Sequence, residues 1–163
     1  MRRSASSAII IIGVAVFYLF SPPPSNSSLK CGPPLSAKEV FDTATAVFQG
    51  KVIGEEERDL PNPLGPLKHK KSHVFRFKVE QWWKGGNKEE VEVHVLLIDD
   101  RKGNYGFPPE SFIFEKEKRY LVYAYSQYDA KDMLVTSVCV RTKNIERAQE
   151  DLNFLGKGQK PEP

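Results

Sequence analysis

After residue 45 the apolar positions recur mostly at every second place, the period of a half-buried strand. Ala46-Val47-Phe48-Gln49-Gly50-Lys51-Val52-Ile53 predicts a first strand, with Gly50 a bulge or a point of close approach. Phe75, Phe77 and Val79 alternate with Arg76, Lys78 and Glu80, so His73 to Gln81 predicts a second. Val91, Val93, Val95 and Leu97 alternate with Glu92 and His94 in a third. Tyr120-Leu121-Val122-Tyr123-Ala124 marks a fourth over Arg119 to Tyr125, and Met133 to Val140 a fifth. The period turns helical only at the two ends. Ser36-Ala37-Lys38-Glu39 is a capping box opening a short helix through about Thr43. Ile145, Ala148, Leu152 and Leu155 lie at helical spacing, with Gly156 as the stop.

The connections are polar. Glu55 to Lys71 contains Pro61, Pro63, Gly65 and Pro66 and reads as an irregular hairpin loop, a candidate contact surface. Trp82-Trp83-Lys84-Gly85-Gly86 reads as a turn, Asp99 to Phe112 as a long loop, and residues 157–163 as a disordered tail. Five antiparallel strands with a short helix before and a helix behind predict an all-β domain with flanking helices, a five-stranded OB-fold barrel. A sandwich usually needs about seven strands.

The chain opens differently. Met1-Arg2-Arg3, an apolar run from Ala8 to Phe20 and then Ser21-Pro22-Pro23-Pro24 match an export signal. The run falls short of the ~20 residues that span a bilayer as a helix. Ser25 and Ser27 place a cleavage before Ser28, yet no Ala-x-Ala site exists, so residues 1–28 are either a signal peptide or an uncleaved anchor. Residues 29–156 form the expected domain. The protein is expected to be secreted or extracytoplasmic, touching a membrane only through a retained leader.

Export changes the reading of charge and cysteine. Without Arg2 and Arg3, the 24 bases nearly balance the 21 acids, which leaves no footprint for nucleic acid. Two cysteines in an oxidising compartment, Cys31 and Cys139, have one pairing, which would stabilise the fold by up to ~4.7 kcal/mol. The bland alternative is two unrelated buried thiols.

Candidate chemistry is thin. His69, His73 and His94 lack zinc-site spacing and read as solvated loop residues. Asp99-Asp100 reads as a turn former. No nucleophile elbow and no phosphate loop is present, so neither an enzyme nor a cofactor is expected. Trp82 and Trp83 point to opposite faces, one packed and the other open to stacking. With Lys68, Lys70 and Lys71 they form an alternative ligand surface for a carbohydrate or polyanion at the cell envelope.

Cys31-x-Pro33-Pro34, the helix bearing Phe41, Val47-Phe48-x-Gly50-x-Val52, Trp83-Lys84-Gly85, Tyr120-Leu121-Val122-x-Ala124 and Thr136-Ser137-x-Cys139-x-Arg141-Thr142 follow in that order. In this the chain, from about Leu29 to Leu155, resembles the netrin-like superfamily, specifically secreted microbial proteins similar to tissue inhibitors of metalloproteinases. The resemblance implies an OB barrel, a non-enzymatic protein-binding role and an extracytoplasmic protein partner, in the inhibitors a zinc metalloprotease. It places the protease contact on Leu29, Lys30, Cys31, Gly32, Pro33 and Pro34. The departures are paired. Leu29 stands where the family has its first cysteine, whose amine and carbonyl chelate the protease zinc, and Tyr105-Gly106 stands where that cysteine's partner would be. Asp42 or a neighbour replaces a cysteine of the third bridge. Cys31 and Cys139 match the bridge that is kept.

Overall fold

The computed structural model describes residues 31–162. Helix α1 (Ala37–Thr43) starts where the capping box puts it: the Glu39 amide donates to Ser36 Oγ at 3.3 Å, and the Ser36 amide to Glu39 Oε2 at 2.8 Å. Strands β1 (Ala46–Leu64), β2 (His69–Lys84), β3 (Glu90–Leu96), β6 (Arg119–Gln127) and β7 (Ala130–Val135) make the main sheet. The short strand β8 (Lys143–Asn144) adds to β6, and β4 (Ile98–Asp99) pairs with β5 (Tyr105–Gly106) in a separate ribbon. A 3-10 turn over Ile145–Arg147 leads into α2 (Gln149–Leu155).

The main sheet runs β1-β2-β3-β7-β6-β8, and β6 also pairs with β1. All these ladders are antiparallel except β3–β7, a short parallel contact of Val93 with Leu134 and His94 with Val135.

Alternation sorts the side chains into two cores. Ala46, Phe48, Val52, Phe75, Phe77, Val93, Val95, Tyr120, Val122 and Ala124 meet on one face, with Phe114 wedged among them. Phe114 packs edge-on against Phe77 and Tyr120, at 4.9 and 5.0 Å between ring centroids. The opposite faces of β1 and β6 carry Val47, Leu121 and Tyr123, which the two helices cover through Val40, Ala44, Ala148 and Leu152. β6 is therefore buried on both sides, which is why Tyr120–Ala124 reads as an unbroken apolar run.

Several expectations are corrected. The segment Glu55 to Lys71 is not an irregular loop: β1 and β2 stay paired from Glu55 with Phe75 to Asp59 with Lys71, and turn only over residues 65–68. The prolines are tolerated because β6 covers only Ala46–Lys51 of β1. Beyond that point β1 is an edge strand, where Pro61 and Pro63 cost no ladder bond, and the register slips between Asp59 and Leu64. The fifth strand ends at Val135 rather than Val140. Nor does the tail hang free. Gln159 pairs with Trp82 through two backbone bonds of 2.8 and 2.7 Å, and the Glu162 amide donates to Asn87 O. The Gly50 bulge is present, as a register slip between Gln49 and Gly50, where a Cβ would stand 2.9 Å from Lys78 O.

Candidate functional site

The segment 136–142 leaves β7 and returns to β8 as a loop closed at its base by two threonines. Thr142 Oγ1 accepts from the Tyr123 amide at 2.9 Å and donates to the Tyr123 carbonyl at 3.1 Å, while Thr136 Oγ1 donates to the same carbonyl at 2.8 Å. The loop is held sideways as well. The Val138 amide donates to Glu110 O at 2.9 Å, and the Cys139 amide to Ser137 Oγ at 3.2 Å.

At the loop tip Cys139 is bonded to Cys31, with Cα atoms 5.2 Å apart across 108 residues of sequence. The pairing expected from an oxidising compartment is present. Residues 31–35 form a strap ahead of α1, stiffened by Pro33 and Pro34. Its second tether is a hydrogen bond of 3.2 Å from Arg141 to Leu35 O.

Arg141 is itself held from below. Asp151, fully buried on α2, receives Arg141 Nε at 2.6 Å, Lys143 Nζ at 2.7 Å and the Tyr123 hydroxyl at 3.0 Å. Burial alone would raise the Asp151 carboxyl, but the hydrogen bonds from Arg141 and Lys143 outweigh it and hold it below the usual carboxylate range. Tyr123 shifts the other way, raised by burial and then by the Asp151 charge. One buried carboxylate thus ties helix α2, strand β6, the cysteine loop and the strap into a single support.

The product is a ridge. Leu35 and Val138 are 46% and 43% exposed, and Cys31, Gly32, Pro33, Pro34 and Cys139 are exposed with them. A groove of about 260 Å³ runs between strap and loop, floored by Val40 and Val140. The ridge offers apolar shape on a backbone with little freedom left to lose, which suits recognition of a protein surface. Of the residues expected at a protease contact, Cys31, Gly32, Pro33 and Pro34 lie here, and Leu29 and Lys30 fall outside the described residues.

The alternative ligand surface does not assemble. Trp82 is 3% exposed and donates its indole N–H to Lys88 O, while Trp83 packs under the helices and donates to Gly156 O, both at 2.9 Å. Trp82 is buried, and Trp83 is partly buried with its indole N–H already engaged. Lys70 and Lys71 sit at the far end of β2 and Lys68 in the turn before it, roughly 40 Å from the tryptophans along the strand. Lys71 is also engaged, 3.6 Å from Asp59 and over the Tyr105 ring.

The histidines are strand residues, not solvated loop residues. His69 Nδ1 donates to Leu97 O at 2.8 Å, His73 lies 3.1 Å from Glu55, and His94 is buried beside Ser72. Burial pushes His94 down, partly offset by Glu92. Among the described residues no group of three or more His, Cys, Asp and Glu could hold a metal ion. Asp99 and Asp100 do form turns, accepting from the amides of Arg101 and Lys102.

Sequence reasoning missed Leu35, Val138 and Asp151. Leu35 directly before the helix cap, with Val40 four places into the helix, carries the pattern of a hydrophobic staple. Asp151 gives no local signal, since an acid in the first turn of a helix is ordinary. Compared with known proteins, the sequence matches no family model and no curated protein.

Proposed function

We propose that this chain is an exported, non-enzymatic binding domain that engages another protein through the ridge of Leu35, Val138 and the Cys31–Cys139 bridge. The observation that carries this reading is the ridge itself: exposed apolar residues on a strap and a loop that a disulfide, two threonines and a buried carboxylate hold rigid. A surface kept merely soluble needs none of that support. The cyclic succession of ladders, β1-β2-β3-β7-β6 and back to β1 with a parallel β3–β7 contact, favours an OB-type barrel as the scaffold.

Likeness to metalloproteinase inhibitors makes a zinc protease one partner class, bound by surface fit and without N-terminal chelation, since Leu29 replaces the chelating cysteine. A photo-crosslinking residue at Val138 should yield a discrete adduct with an extracytoplasmic protein, and one at Phe154, exposed on α2, should not. Equal labelling from both positions, or none from Val138, would overturn the reading. Flat progress curves for a panel of zinc proteases would remove that partner class alone.

A further inference from the structure

Two neighbouring turns carry the two most exposed large apolar side chains of the described residues. Leu67, in the turn between β1 and β2, is 72% exposed, and Tyr128, in the turn between β6 and β7, is 92% exposed. The turns are joined: the Gly65 amide donates to Asp129 Oδ2 at 2.9 Å. Gly65 and Lys68 both adopt positive φ, so the first turn is tight and presents Leu67 outward. Lys68 and Lys70 flank Leu67, and Lys131 follows Tyr128. All three are exposed, and none has an ion pair among the described residues. The nearby acids are largely occupied. Asp59 faces Lys71 and Asp129 caps Gly65, while Asp132 lies away from the tips in a groove with Arg76, Lys88, Glu90 and Glu92.

We propose that these joined tips form a membrane-contact site, in which Leu67 and Tyr128 enter the interfacial layer of an anionic bilayer and Lys68, Lys70 and Lys131 meet its headgroups. Tyrosine is a side chain that suits a boundary with one wet and one apolar side. The free lysines supply the charge complementarity, since each near an anionic surface is attracted and salt screens that attraction. This surface shares no residue with the ridge, and its failure would leave the ridge reading untouched.

The test uses the exported chain with Tyr128→Trp as a local reporter, read against the unsubstituted chain because Trp82 is buried and Trp83 partly buried far from the tips. Vesicles of phosphatidylcholine with a third phosphatidylglycerol should shift its emission to the blue, and brominated lipid should quench it. Leu67→Ser should weaken vesicle partition roughly tenfold, the worth of one buried leucine. Lys68→Glu with Lys70→Glu should abolish the preference over pure phosphatidylcholine. A reporter that does not respond while the chain still sediments with vesicles would place the contact elsewhere on the chain and overturn the proposal. So would binding indifferent to both sets of substitutions, or no binding at all.

Discussion

Thr142 and Asp151 are the residues on which the ridge rests, and each gives a sharp expectation. Thr142→Val keeps shape and volume but leaves the Tyr123 amide without its acceptor inside the protein. Buried unsatisfied groups cost about 1–3 kcal/mol, so urea unfolding should show a loss of that size, and a change near zero would contradict the clamp. Asp151→Asn should cost more, about 3–5 kcal/mol, because Arg141 and Lys143 lose a buried counter-charge. The same residue governs acid sensitivity. Its folded carboxyl lies below the unfolded value of about 4, so its contribution is complete above that pH and disappears as pH falls toward the depressed folded value. The wild type should therefore lose stability steeply below about pH 4, and Asp151→Asn should flatten that slope. His94 adds a second, milder dependence. Its folded value lies below the ordinary one, so stability falls as pH drops below about 6.5, and His94→Gln should remove that step.

At the scale of elements, the β1–β2 hairpin separates what local pattern can say from what pairing decides. Strand alternation in Phe75-Arg76-Phe77-Lys78-Val79 is legible because one face is core and the other is solvent. Glu55 to Lys71 looks structureless because its side chains are polar on both faces and prolines interrupt it. What makes it a strand is the partner it finds and the edge it leaves free, neither of which is written locally. Backbone amides of the Glu55–Asp59 ladder should accordingly exchange slowly enough to be distinguished from loop amides. Exchange at unstructured rates across residues 55–59 and 71–75 would contradict the pairing. The capping box of α1 and the Gly156 stop were legible for the opposite reason, since they depend on residues three or four places apart. The ridge was half legible: Cys31 and Cys139 mark it in sequence, but Leu35 and Val138 join it only through contacts across more than a hundred residues. The tryptophans show the reverse error. A Trp82-Trp83 pair beside lysines looks like a binding face, and the structure spends both indoles on backbone carbonyls.

For the whole molecule, the bridge joins the strap to the loop that follows the last long strand, so all the intervening strands lie within one covalent loop. On the chain-entropy view such a loop contributes up to about 4.7 kcal/mol. Cys31→Ser with Cys139→Ser should then lower the Tm by on the order of 10 °C in a domain of this size. The remaining fold should persist, since neither cysteine belongs to either hydrophobic core. An exported protein meets the oxidising conditions that keep this bond. No helix among the described residues is long and apolar enough to cross a membrane, and the apolar run of the chain lies in residues 8–20, ahead of them. The proposed export, the oxidised bridge and the ridge can therefore be tested together, by one mass spectrum of the protein recovered from outside the cytoplasm. Loss of the leader up to about Ser28, with a gain of about two mass units on reduction, is the expected result. A chain found only in the cytoplasm, or one whose mass does not change on reduction, would leave the strap untethered and contradict the ridge as its binding surface.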